Sequence, residues 1–223
     1  MATSGSADFE LAVDDYIEEA FERCGLEVRT GYDLKTAKRS LNLLFADWAN
    51  RGLNRWTITQ TTTTITDGTT EYTLAADTID VLSAVIRENA GTASQTDTAI
   101  SRIGRDTYLN ISSKLTESRP TQFYIDRQIV PKIRLYPTPN ATYSLVYDRL
   151  TRIEDADSAT NTVDVPFRFY PCLTAGLAYY LSIKKAPDRI QVLKAIYEEE
   201  FDRAATEDRD RTSLKLLPYQ RYI

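Results

Sequence analysis

The hydrophobic period of this chain changes twice, and those changes limit its architecture more than any single motif does. Apolar residues recur at three-and-four spacing near both ends, which selects amphipathic helices, and at spacing two through the middle, which selects strands. The stretch from Val165 to Arg209 is the most strongly patterned. One helix begins after Pro166 and carries Phe169, Leu173, Leu177, Tyr180 and Leu181 on one face, with Ala175, Gly176 and Ala178 among them where another backbone can approach. A second begins near Pro187, which suits a first helical turn because it has no N–H to satisfy. Its stripe is Ile190, Leu193, Tyr197, Phe201 and Ala204, widened by Val192 and Ile196. Neither helix hides its stripe alone, so both need partners from the other end of the chain.

Two further helices lie there. Asp8 to Cys24 places Phe9, Val13, Ile17, Ala20, Phe21 and Cys24 along one side, with Ser6 or Asp8 as cap and Gly25 positioned to end it in a left-handed turn. Its outer face is acidic, from Asp14, Asp15, Glu18, Glu19 and Glu22, with Arg23 opposing. The next helix runs from Asp33, as N-cap, to Asn50, with Gly52 beyond. Leu34, Ala37, Leu41, Leu44, Phe45 and Trp48 form its stripe, and Lys35, Lys38, Arg39 and Arg51 its basic side. An acidic helix followed by a basic one suggests faces that meet, within one subunit or across a subunit boundary, through Asp14, Glu18 and Glu22 against Lys35, Lys38 and Arg39. The alternative is two solvated faces, because exposed ion pairs contribute only about 0–1 kcal/mol.

Between the helices the chain reads as β structure. Thr57–Thr66 is threonine-rich, Asp67-Gly68 signals a tight hairpin, and Glu71–Leu74 returns. Strands follow at Ile79–Arg87, at Thr98–Ile103 beyond a flexible tip, at Thr121–Arg127, at Lys132–Tyr136 and at Tyr143–Arg149, with a short helix over Arg105–Ile111. Seven short strands at regular intervals point to a small antiparallel sandwich or partly closed barrel. The expected fold is therefore α+β. A helical layer of about four helices comes from both chain ends (1–55 and 165–211), with a β domain (56–152) inserted and an extended segment (212–223) after it. That segment holds Leu214, Leu216, Leu217, Tyr219, Tyr222 and Ile223, an apolar content unusual for a chain left in water.

Composition limits function. The 223 residues form one large domain or two small ones, with no apolar run long enough to cross a bilayer and no signal-like start. Cys24 and Cys172 fall on apolar helix faces, as expected of an intracellular protein without disulfides. A formal charge of −5 argues against a surface that grips nucleic acid everywhere. Histidine is absent, which removes the commonest general base and the commonest transition-metal ligand. There is no glycine-rich phosphate loop, nucleophile elbow or zinc spacing. Consecutive Glu198, Glu199 and Glu200 point around a helix as a solvated face. The loop bearing Asp155, Asp157 and Asp164 lacks the glycine and terminal glutamate of an EF-hand. The expectation is a protein without catalytic residues, cofactor or metal. Arg119, Arg127, Lys132, Arg134, Arg149 and Arg152, interleaved with Tyr124, Tyr136, Tyr143 and Tyr147, leave one alternative, a nucleic-acid-binding module on the β domain. The same tyrosines serve equally as cross-strand pairs and interface anchors.

Pro120-Thr121-Gln122-Phe123-Tyr124, Ile133-Arg134-Leu135-Tyr136-Pro137-Thr138-Pro139 and Tyr143-Ser144-Leu145-Val146-Tyr147 together resemble the β-hairpin region of the head-to-tail adaptors of short-tailed bacteriophages, the gateway or tail-tubular-A-like proteins. Val165-Pro166, Leu173 and Gly176-Leu177-Ala178 continue the likeness, as do Leu41-Asn42-Leu43-Leu44, Trp48, Gly52, Trp56 and Tyr72-Thr73-Leu74 upstream. The resemblance implies a homo-oligomeric ring, usually of twelve copies, in the neck of a virion and assembled in the host cytoplasm. It places the portal protein on one side and a tail nozzle protein on the other, with double-stranded DNA passing unread through the lumen and no membrane involved. In that family the helical layer forms the ring body and the C-terminal segment docks on the portal, here Leu214, Leu216, Leu217, Tyr219, Tyr222 and Ile223. On charge alone, Glu199, Asp202, Glu207 and Asp208 are candidates to line the channel.

Overall fold

The computed structural model describes residues 5–6, 9–52 and 55–209. In chain order its elements are α1 (Val13–Arg23), α2 (Gly31–Arg51), β1 (Ile58–Ile65), β2 (Glu71–Thr73), β3 (Thr78–Glu88), β4 (Thr96–Arg102), α3 (Arg105–Leu109), β5 (Gln122–Asp126), β6 (Lys132–Tyr136), β7 (Tyr143–Thr151), α4 (Tyr170–Lys185) and α5 (Ile190–Glu207). The fold is α+β. Two compact units are formed, Met1–Leu41 with Asp157–Ile223 and Asn42–Ala156, the division falling inside α2.

In the helical unit α4 is the centre, packed against both α1 and α5. Every residue from Cys172 to Ala178 is buried, as are Leu181 and Ser182. The expected single stripe understates this helix, which is apolar or small all round and so is enclosed. Phe169 is buried but belongs to the short 3-10 turn that precedes α4. α5 is the opposite case. Its buried residues are Leu193, Tyr197 and Ala204, while Val192 and Ile196, expected to widen the stripe, are 63% and 41% exposed. Tyr197 stacks on Tyr179 at 6.0 Å between ring centres.

α1 starts at Val13, later than the expected Asp8, because its orphan N–H groups find partners there. The Asp15 carboxylate accepts from the Ala12 N–H at 2.9 Å. The N–H groups of Val13 and Asp14 donate to the carbonyls of Asn161 and Ala159 at 2.9 and 3.0 Å. The N-cap is Ala12 in place of the expected Ser6, and the other expected cap, Asp8, lies outside the described residues. The other end closes as expected on Gly25. With φ at +71°, Gly25 donates to the Glu22 carbonyl and Leu26 to that of Phe21, at 2.8 and 2.9 Å, the paired bonds of a Schellman motif. The Arg189 guanidinium lies against the same glycine and donates to the Arg23 carbonyl at 3.0 Å.

The second unit contains one seven-stranded sheet in the order β1-β7-β3-β4-β5-β6-β2, curled into a half-barrel. It is one mixed sheet rather than an antiparallel sandwich, because β4 and β5 run parallel through Ser101↔Gln122 and Arg102↔Phe123. Parallel neighbours need a crossover, and α3 with the loop after it supplies one. The Asp67-Gly68 hairpin is also corrected. A turn is present, but β1 pairs with β7 and β2 with β6, so the strands it joins occupy opposite edges. Ile65, Ile86, Phe123, Ile133, Leu135 and Leu145 are buried in the core of this sheet.

Gly25 yields the first prediction. A Cβ there would sit 2.8 Å from the Arg189 guanidinium on a backbone that costs an L-residue about 1–2 kcal/mol. Gly25→Ala should lower stability by at least that amount, read as the urea unfolding midpoint. Adding Arg189→Ala should recover only the steric part.

Candidate functional site

The surfaces available for contact are set by how α2 begins. Thr30 and Asp33 form a reciprocal capping box. The Asp33 N–H donates to Thr30 Oγ1 at 3.3 Å and the Thr30 N–H to Asp33 Oδ2 at 3.1 Å. Asp33 is thus the third helical residue, not the expected cap. Its other oxygen pairs with the Lys185 ammonium at the end of α4. That ammonium, followed by hydrogen bonds from Thr30 and Arg29, holds the Asp33 carboxyl down at about 2 against desolvation. Next to this lock, Lys184 Nζ donates to Ser40 Oγ at 2.7 Å, and the Ser40 hydroxyl donates to the Thr36 carbonyl at 3.1 Å.

With α2 anchored in this way, Tyr32, Lys35 and Arg39 are exposed. They recur at helical spacing on one face. Lys38 donates to the Asp157 carbonyl at 3.0 Å. Lys184 joins this basic patch, and burial followed by the nearby Arg39 charge pulls its ammonium below the ordinary lysine value. The available sequence signal was the Lys184-Lys185 pair closing α4, whose two members have different tasks. On α1, Glu18 and Glu22 are exposed and Asp14 is half-buried, while Glu19 pairs with Arg23 at 2.9 Å. Among the described residues no ion pair joins Asp14, Glu18 or Glu22 to Lys35, Lys38 or Arg39. The acidic and basic faces do not neutralise each other among the described residues.

The basic strand residues are differently placed. Lys132 and Arg134 both grip Glu71, at 2.6 and 2.8 Å. Arg149 reaches Asp77 at 2.6 Å, Arg119 reaches Glu88 at 3.6 Å, and Arg127 lies 3.9 Å from Asp80. Tyr124 and Tyr147 are buried. Tyr124 is stacked on Tyr108 at 5.5 Å and accepts a hydrogen bond from Arg105 at 2.8 Å. Rings enclosed in this way offer no face to a base, and cations already paired release few counterions to a phosphate backbone.

Of the acidic candidates for a channel, Asp208 is buried and paired with Arg168, so it presents no charge to solvent in this chain. Glu199 is exposed and pairs with Arg203, and Asp202 and Glu207 are exposed. Leu214, Leu216, Leu217, Tyr219, Tyr222 and Ile223 lie outside the described residues. Cys24 and Cys172 are buried and not disulfide-bonded. Burial pushes the Cys24 thiol up, and it donates to the Ala178 carbonyl at 3.3 Å. Among the described residues no group of three or more acidic or cysteine side chains converges as a metal site, and no helix is long and apolar enough to cross a membrane.

A family model described as SU10 adaptor protein matches residues 8–218, which spans both units. A search of curated proteins finds no match to the chain.

The anchor of α2 carries a pH prediction. Asp33 falls from an ordinary 3.8 to about 2 in the folded chain. A depressed carboxyl contributes stability that is complete above its unfolded value and is lost as pH drops toward its folded one. Unfolding midpoints should therefore decline between pH 3.8 and about 2, and Asp33→Asn should flatten that limb. Urea titrations of both proteins from pH 5 to 2 test this, and identical slopes would overturn it.

Proposed function

The chain belongs to the SU10 adaptor protein family, and on that premise we propose that it is the head-to-tail adaptor of a short-tailed bacteriophage. Membership makes it a structural adaptor of a phage virion that contacts other virion proteins. Beyond that, our reading is a ring, usually of twelve copies, between the portal protein and the tail nozzle protein. Double-stranded DNA passes through its lumen, and the protein performs no catalysis. The helical unit forms the ring body, the β domain faces the nozzle, and segment 212–223 docks on the portal through Leu214, Leu216, Leu217, Tyr219, Tyr222 and Ile223.

The observation that carries this reading is the family match across both units. The unneutralised faces of α1 and α2 support it. A ring contact is heterologous and needs two different, complementary surfaces on each copy. A single helical unit bearing Glu18 and Glu22 on one helix and Lys35 and Arg39 on another meets that requirement. The alternative, a nucleic-acid module on the strands, is disfavoured by the pairing of Lys132, Arg134 and Arg149 with carboxylates.

Negative-stain images of the protein mixed with its portal test the reading: closed rings on the portal support it, and a monomer shifted by short DNA defeats it. Deletion from Thr212 onward should leave a folded subunit, with unchanged circular dichroism, that no longer sediments with portal. Unfolding of the truncated chain would show instead that the segment belongs to its own core. Neutralising Glu199, Asp202 and Glu207 together should leave assembly intact and slow genome passage, because the lumen would then repel DNA less. Unchanged passage in an ejection assay would remove these three from the channel.

A further inference from the structure

We infer that Tyr32 of one copy seats in the apolar pocket at the start of α5 of a second copy, while Lys35, Arg39 and Lys184 of the first face Glu18 and Glu22 of the second. This rests on the assembly reading above and deepens it, by naming the contact that joins neighbouring copies.

The pocket measures about 490 Å³ and is lined by Val192, Leu193 and Ile196 together with Arg23, Asp188 and Arg189. That is ample room for an aromatic side chain. Its walls include the two residues, Val192 and Ile196, whose exposure the helical unit does not explain. Tyr32 is 72% exposed, more so than either of them. It stands where an anchor would stand, one turn before Lys35 on the same face and close enough to Lys184 to influence its titration. Lys35, Arg39 and Lys184 form no ion pair among the described residues, and the Lys184 charge is disfavoured first by burial and then by the nearby Arg39. A copy in isolation therefore carries a knot of like charge that an acidic neighbour would relieve.

On the second surface the two cations of the pocket wall are already engaged, Arg23 with Glu19 at 2.9 Å and Arg189 with the Arg23 carbonyl at 3.0 Å, which leaves Glu18 and Glu22 to meet the basic patch. Arg23 lines the pocket, Glu22 precedes it, and Glu18 is one turn further back on α1. At about 1.5 Å rise per residue, Lys35 and Arg39 trail the Tyr32 anchor by about 4.5 to 10.5 Å along α2. The acids trail the pocket by about 1.5 to 7.5 Å along α1, and the offset of about 3 Å is within the reach of lysine and arginine side chains. An aromatic anchor in an apolar pocket, with acids of the sign opposite to Lys35 and Arg39 close by on α1, is the usual composition of an interface hot spot. A DNA backbone would satisfy the cations, but it would leave Tyr32, the pocket and the acidic face without a role.

The experiment uses the full chain and its association constant from sedimentation velocity, with melting temperature as the check on folding. Tyr32→Ala should weaken association by at least about thirtyfold. Lys35→Glu/Arg39→Glu and Glu18→Lys/Glu22→Lys should each fail to self-associate, and an equimolar mixture of the two should associate again because every contact is then complementary. Rings that survive Tyr32→Ala, or a mixture that stays dissociated, overturn this contact and leave the adaptor ring standing. A wild-type chain that stays monomeric both alone and with its portal overturns both readings. Loss of binding to a short DNA duplex in Lys35→Glu/Arg39→Glu, with association intact, assigns the patch to nucleic acid and overturns the proposal.

Discussion

Six peptide steps join Ile65, the last residue of β1, to Glu71, the first of β2, and those two strands are the opposite edges of a seven-stranded sheet. Laid flat, such a sheet would put its edges about 29 Å apart, from about 4.8 Å per strand pair. Six steps of extended chain reach only about 20 Å. The sheet therefore has to curl until the connection can span its mouth. The connection is pinned once it does. Tyr72 accepts from the Thr66 N–H at 2.8 Å and donates to the Thr69 carbonyl at 3.0 Å, and the Gly68 N–H donates to the Pro139 carbonyl at 2.9 Å. Curling brings Ile65 at one edge into the same core as Ile133 and Leu135 near the other. The core, the register of both edge strands and the half-barrel form all follow from one short link.

Little of that was legible locally. The seven strands themselves were, because period two, threonine enrichment and turn residues act over a few positions. Pairing is a long-range choice, however, and an Asp-Gly turn specifies a reversal of direction without specifying which strand receives the next one. The parallel step from β4 to β5 was hidden for the same reason. On the helical side the periodicity located α4 correctly but described it as one-faced. The small residues Ala175, Gly176 and Ala178 were legible as points of close approach, but Thr174 and Ser182 count as polar in a stripe argument and yet are buried with them. The α1 boundary depended on the carbonyls of Ala159 and Asn161, nearly 150 positions away, and no local cap signal could carry that.

Charged residues were readable as charges but not as partners. Asp208 and Glu207 are adjacent acids near the end of one helix, yet Arg168 claims the first and draws it out of solvent. The basic strand residues looked like a platform, and Arg119, Arg127, Lys132, Arg134 and Arg149 prove to be held by Glu71, Asp77, Asp80 and Glu88, while Arg152 is exposed. Lys184 and Lys185 are neighbours with divergent fates, one enlarging an unneutralised patch and the other locking α2 through Asp33. A sequence supplies the sign and the helical phase of a charge. The distance to its counterion comes only from the fold.

That distinction separates two populations of charge. In the sheet unit the cations on β6 and β7 are spent on carboxylates of their own unit, where half-buried pairs fix strand register and leave little attraction for an external anion. In the helical unit Lys35, Arg39, Glu18 and Glu22 have no ion-pair partner among the described residues, although both signs are present. Pairing them within the chain would add about 0–1 kcal/mol per exposed pair. Keeping them apart preserves two surfaces of opposite sign on one unit. When such surfaces meet across an interface, they steer encounter, reject like-charged approaches and set register more than they add affinity. For a structural adaptor that contacts other virion proteins, orientation is worth more than the small stability forgone. The affinity must then come from apolar contact, for which this unit exposes Tyr32, Val192 and Ile196.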